Sequence, residues 1–126
     1  MKKLLILLFS ILISFNSYGE WSEVSKSVNG SVTYVDFERI RKKGGFVYYW
    51  SLTNYGKLSP YGDLSSKVYF QVDCELFRYK YLSDSYYKEL MGKGEKTGGS
   101  NEPDNEWNYP PPGSVQEYVL ELVCDW

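Results

Sequence analysis

The 126-residue sequence contains no histidine, which removes the commonest general base at neutral pH and the commonest metal ligand. No G-x-S-x-G nucleophile elbow occurs, and Gly92-Lys93-Gly94 is too short for a phosphate-cradling loop and lacks its Lys-Ser/Thr ending. Basic excess is missing too. The formal net charge is −2, so the chain is not a general nucleic-acid binder. Long apolar runs are confined to residues 4–15, a stretch interrupted by Ser10 and Ser14. As a helix it would cover roughly 18 Å, short of the ~30 Å hydrocarbon core of a bilayer.

That run has the form of a bacterial export signal. Met1-Lys2-Lys3 is a basic start, the apolar run follows, and Ser17-Tyr18-Gly19 places small residues at the −3 and −1 cleavage positions. The expected organisation is a signal peptide over 1–19 and a single domain over 20–126, with the protein delivered to the periplasm or the cell surface. No cysteine stands at the cleavage site, so no lipid anchor and no stable membrane attachment are expected after cleavage. Loss of Lys2 and Lys3 leaves 12 positive charges against 16 negative, a net of −4.

The only cysteines are Cys74 and Cys124. In an oxidising compartment two thiols are better used as a structural disulfide than as metal ligands or nucleophiles. A core of about this size is marginal on its own, so the bridge would matter to stability.

Most of the chain reads as strands. Residues 20–28 and 31–37 flank Asn29-Gly30, which suits a type I′ hairpin turn. Residues 36–41 read as a short turn or single helical turn, and Lys42-Lys43-Gly44-Gly45 as a second reversal. The aromatic and β-branched segment 46–55 reads as a central strand with Phe46, Tyr48, Trp50 and Leu52 on one side. Residues 57–64 form a loop. Residues 65–81 read as one long strand, or a strand with a bulge, whose alternation points Cys74 into the core. Residues 86–91 are open between a strand and a short helix. The stretch 92–113, rich in Gly, Pro, Asn and charge, reads as a long loop.

Ser114-Val115-Gln116-Glu117 is a capping box and predicts a final helix. At 100° per residue Glu117, Glu121 and Asp125 make an acidic stripe. Val115, Tyr118, Val119, Leu122, Val123 and Trp126 gather opposite it, and Cys124 falls beside the stripe. A strand competes, with Tyr118, Leu120, Leu122, Cys124 and Trp126 in alternation. The capping box and the acidic stripe are independent signals for helix. The expected fold is therefore α+β, an antiparallel sheet of about five to six strands with a C-terminal α-helix tied to it by one disulfide.

Several segments resemble the surface-adhesin E family: Tyr34-Val35-Asp36 after a first tryptophan strand, Gly45 leading to Val47 and Trp50-Ser51-Leu52-Thr53-Asn54-Tyr55, and Ser66-Lys67 leading to Asp73-Cys74. Arg78, Met91-Gly92-Lys93-Gly94, Trp107, Pro112-Gly113-Ser114 and Cys124 follow in order and at compatible spacing. The resemblance implies the same sheet, helix and disulfide, and an envelope or surface protein. The family's named member is an adhesin for host extracellular-matrix proteins, anchored as a lipoprotein; the anchoring cysteine has no counterpart here.

Carboxylates are the remaining candidates for chemistry. Asp73 with Glu75 alternates onto an exposed sheet face, and Glu102, Asp104 and Glu106 lie in a polar loop. Glu102, Asp104, Asn105 and Glu106 offer hard oxygen donors for calcium, but without EF-hand-like spacing the segment reads as a solvated loop. No cofactor, metal or catalytic residue is expected. Thirteen tyrosines and four tryptophans point instead to contact surface. Arg78, Tyr79, Lys80, Tyr81, Tyr86, Tyr87 and Lys88 interleave basic and aromatic groups and form the candidate binding face, suited to acidic protein or glycan surfaces. The same tyrosines could fill half-buried sheet faces. Residues 107–112 either present a rigid extended surface or pack Trp107 over the sheet and aim the final helix.

The leading expectation is a non-catalytic exported protein-binding module whose partner is an extracellular-matrix or other envelope protein. The alternatives are a periplasmic accessory or inhibitor protein and a small carboxylate-dependent enzyme. An exposed sheet edge would allow a homodimer.

Overall fold

The computed structural model describes residues 20–126; the expected signal peptide at 1–19 lies outside the described residues. Seven strands form one antiparallel sheet: β1 (Ser22–Lys26), β2 (Val32–Val35), β3 (Arg41–Lys43), β4 (Phe46–Asn54), β5 (Ser65–Asp73), β6 (Arg78–Tyr87) and β7 (Lys96–Ser100). One helix, α1 (Val115–Cys124), follows. The order across the sheet is β1-β2-β4-β5-β6-β7, with β3 paired to β4. β2 runs along the C-terminal half of β4, from Val35↔Ser51 to Val32↔Asn54, and β3 along its N-terminal half, from Arg41↔Tyr48 to Lys43↔Phe46. The two share one edge of β4, and the 3₁₀ turn Phe37–Arg39 steps the chain between them.

The sheet is an extended meander because almost every reversal is local. Gly44 and Gly45 both take positive φ between β3 and β4, a conformation that costs glycine nothing. At the first hairpin the expected type I′ turn does not form. That turn needs positive φ at both central residues, and only Gly30 has it. The Asn29 side chain instead accepts from the Ser31 amide at 3.1 Å, and Ser27 N donates to Ser31 O, so the reversal spans 27–31.

Residues 65–81 are not one strand. The chain reverses at 74–77 between β5 and β6, with neither glycine nor proline to mark it. Asp73 builds the turn: its Oδ1 accepts from the amides of Glu75 (3.1 Å) and Leu76 (3.2 Å), and its Oδ2 pairs with Arg78 Nε at 2.9 Å. Phe77 then closes the turn at φ 53° and packs against the core. Within 86–91, Tyr86 and Tyr87 end β6, and Leu90–Gly92 is a 3₁₀ turn. The expected loop 92–113 contains β7, which is fully exposed and pairs with the end of β6.

The helix covers one face of the sheet. Val119, Leu120 and Val123 pack on Val35, Val47, Tyr49, Phe70, Val72 and Tyr79, all of one alternation phase. Ser114 Oγ accepts from Glu117 N at 3.1 Å, and Glu117 Oε1 accepts from Gly113 N at 3.0 Å, so the expected cap forms. The buried stripe is rotated from the expected one: Leu120 is inside, while Tyr118 and Val115 are exposed. The cause is the disulfide. The Cys74–Cys124 bridge, with Cα atoms 5.8 Å apart, turns Cys124 toward the sheet, and Leu120 and Gln116 lie one and two turns earlier on that side. Gln116 Nε2 accordingly donates to the Tyr49 hydroxyl at 3.1 Å.

Candidate functional site

Among the described residues, no α-helix covers the opposite face of the sheet. Strand pairing puts Phe46, Tyr48 and Trp50 of β4, Lys67, Tyr69 and Gln71 of β5, and Arg78, Lys80 and Tyr87 of β6 on it. Aromatic rings dominate its middle. Tyr69 stacks between Trp50, with centroids 4.7 Å apart, and Tyr48, at 6.1 Å. Gln71 Nε2 donates to the Tyr48 hydroxyl at 3.2 Å and fixes that ring. Burial among these rings is the main cause that raises the Tyr69 pKa, with Tyr48 adding and Arg41 opposing, so Tyr69 is a neutral hydroxyl at physiological pH.

Beside this stack the segment after β7 returns along β6. Asn108 and Tyr79 exchange backbone hydrogen bonds of 2.8 and 2.9 Å, and Asp104 N donates to Tyr81 O at 2.9 Å. This docking lays Trp107 over the open face, 5.6 Å from Phe46. The Arg78 guanidinium lies 4.5 Å and the Lys80 ammonium 4.8 Å from the Trp107 ring, close enough for cation–π attraction. Arg78 is locked. Burial works against its charge, but hydrogen bonds to Asp73 and the Tyr109 hydroxyl outweigh that and hold it protonated.

At the β3–β4 hairpin the same face opens into a cleft of about 720 Å³ lined by Arg41, Lys42, Lys43, Phe46, Tyr48 and Tyr69. Register places Arg41 beside Tyr48 and Lys43 beside Phe46, so cations rim an aromatic floor. Such a surface fits a carboxylate-bearing or similarly acidic ligand. The loop 88–94 closes the far end: Met91 N donates to Asn54 Oδ1 at 2.8 Å, and Gly92 N to Ser65 Oγ at 2.9 Å.

The seven residues of the sequence-predicted face are divided by strand alternation. Arg78, Lys80 and Tyr87 lie on the open face, where Lys67 Nζ sits 5.4 Å from the Tyr87 ring. Tyr79, Tyr81 and Tyr86 lie on the helix side, because the bulge between Tyr81 and Ser83 switches the phase within β6. Tyr79 is 8% exposed and belongs to the core; burial first, then the neighbouring Tyr81, pushes its pKa up to about 12. Tyr81 is 38% exposed and packs on Phe70. Lys88 is exposed and pairs with Glu95 at 3.1 Å. Residues that sequence reasoning did not assign to a site are Arg41, Lys43, Tyr48 and Tyr69. The signal for the first two was the two-residue spacing of Arg41 and Lys43 before a Gly-Gly reversal, which projects both onto the Phe46 and Tyr48 side.

A family model described as surface-adhesin protein E matches residues 21–125. The chain belongs to the surface-adhesin protein E family. Solved structures of Haemophilus influenzae protein E share the fold of this family member. Crystal form II matches with a TM-score of 0.66 at 17% identity, over 84% of this chain and 87% of that one. Protein E from non-typeable Haemophilus influenzae matches with a TM-score of 0.62 at 17% identity, over 84% and 76%. At that identity the likeness is one of fold. No curated protein matches the sequence significantly. The family match agrees with an adhesin-like protein, and no helix among the described residues is long and apolar enough to cross a membrane.

Proposed function

We propose that this chain is a non-catalytic exported module that binds an acidic surface of an extracellular-matrix or envelope protein through the open face of its sheet. The observation that carries the reading is the half-buried aromatic floor of Tyr48, Trp50 and Tyr69 with Arg41, Lys43, Lys67 and Lys80 around it, on the one sheet face the helix leaves free. Rings preorganised by stacking supply contact area at small entropic cost, and the cations select partner charge. A non-catalytic role is supported by the lack of histidine and by the engagement of both thiols in the bridge.

The test is binding of the mature protein to immobilised extracellular-matrix proteins, comparing wild type with charge reversals at the exposed Lys43 (Lys43→Glu) and the half-buried Lys80 (Lys80→Glu). Each reversal is expected to weaken binding about tenfold; unchanged binding would remove the open face from the interface. Protease treatment of intact cells locates the partner. Cleavage on intact cells places the module at the surface. Protection until the outer membrane is breached leaves an envelope protein as the partner.

A further inference from the structure

At the end of the helix-side face that α1 does not reach, a second cavity of about 460 Å³ is lined by Tyr55, Pro60, Tyr61, Asp63, Tyr86 and Thr97. Asp63 is 4% exposed. Its Oδ1 accepts from the Thr97 hydroxyl and its Oδ2 from Ser59 Oγ at 3.3 Å. Ser59 Oγ in turn accepts from the amides of Tyr61 (3.2 Å) and Asp63 (3.1 Å), so the loop holds the carboxylate in place. All these partners are neutral. The ion pairs among the described residues lie elsewhere, at Arg39, Arg78 and Lys88, and none reaches Asp63.

A buried carboxylate with only neutral partners is an uncompensated charge, and such charges are rare unless something pairs with them. Three tyrosine rings share its cavity, and their faces attract cations. A second carboxylate stands at the cavity's edge, where Asp84 Oδ2 accepts from the Tyr86 hydroxyl at 3.5 Å. No cluster of three His, Cys, Asp or Glu side chains exists among the described residues, so the cavity offers a single carboxylate rather than a carboxylate-built metal cage.

We infer that this cavity receives the ammonium or guanidinium end of a lysine or arginine side chain from a partner protein, seated between the rings of Tyr55, Tyr61 and Tyr86 and paired with Asp63. The source of the cation rests on the reading of the chain as a protein-binding module, whereas the cation preference of the cavity does not. The cavity and the open-face cleft occupy opposite faces, so each can be tested without the other.

The experiment titrates the mature protein with the peptide Ac-Gly-Lys-Gly-NH₂, its arginine counterpart and an isosteric norleucine control, following backbone amide resonances by NMR. The lysine or arginine peptide should shift the Tyr55, Asp63 and Tyr86 amides saturably, and norleucine should not. Asp63→Asn should weaken binding about tenfold. Tyr61→Ala, at a ring 86% exposed and so tolerated by the fold, should weaken it about threefold. Equal shifts with norleucine, or full affinity in both variants, would overturn the inference. Lysine binding that survives Lys43→Glu and Lys80→Glu would uphold the cavity even if the open face proved not to bind; open-face binding with no lysine response would do the reverse.

Discussion

Two buried aspartates work in opposite senses. Asp36 is 1% exposed, and its carboxylate oxygens have no well-formed hydrogen bond among the described residues; Arg39 Nε approaches to 3.3 Å. Burial first, then repulsion from Glu20, raises its pKa, with the Arg39 charge and the Arg39 and Glu38 amides opposing. Its contribution to stability is therefore complete below the unfolded value of about 4 and declines as pH rises through the higher folded value. For Asp73 the Leu76 amide first, then Arg78 and the Glu75 amide, lower the pKa against burial. That contribution is present above the unfolded value and disappears as pH falls through the lower folded one. Urea midpoints measured against pH should therefore diverge. Asp36→Asn should gain on wild type as pH rises above about 4, and the deficit of Asp73→Asn should shrink as pH falls below about 4. Parallel pH profiles for the Asp36 variant and wild type would mean that Arg39 compensates the charge fully.

At the scale of elements, α1 depends on three separable supports. Closing the 51-residue loop counted from Cys74 to Cys124 stabilises by about 4 kcal/mol in the chain-entropy treatment, so Cys74→Ala with Cys124→Ala should lower the unfolding free energy by about that amount. Leu120→Ala should cost about 2–5 kcal/mol, and Ser114→Ala about 1 kcal/mol through the lost Glu117 cap. Chemical denaturation measures all three; a loss under about 1 kcal/mol for the double cysteine variant would show that the unfolded chain is already compact. The helix was legible in the sequence because its cap is a local four-residue signal. Its buried face was legible only in part: Val119 and Val123 are inside as expected, while Leu120 replaces Val115 and Tyr118 because the helix is turned toward Cys74 by the bridge. The 74–77 reversal was hidden for a related reason: an aspartate and a left-handed Phe77 make the turn where glycine would normally announce one. β7, with Gly98 and Gly99, has little strand propensity of its own and exists through pairing to β6. The aromatic floor was legible in the alternation of Phe46, Tyr48 and Trp50, but its cationic rim depends on β3, three residues too short to show a period.

Taken whole, the net charge of the molecule opposes the proposed binding face. With the leader removed the chain carries a net charge of −4, while the open face presents Arg41, Lys43, Lys67 and Lys80 and its Asp73 is neutralised by Arg78. An acidic partner is repelled by the net charge at long range and attracted by the face at contact. The two effects have different reaches. At about 0.01 M salt the screening length is about 30 Å, comparable with the whole domain, and repulsion is felt throughout the approach. At about 0.1 M it falls to about 10 Å, so distant carboxylates drop out while the cleft cations still act; at about 1 M, with about 3 Å, the contact attraction is screened as well. Association of the mature protein with an acidic partner should thus be fastest near 0.1 M salt and slower at both extremes, as stopped-flow or surface-based kinetics would record. Lys43→Glu should flatten the maximum by removing the attractive branch. A monotonic fall from the lowest salt would mean that the local field of the open face outweighs the net charge at every distance, with the acidic residues acting only on solubility.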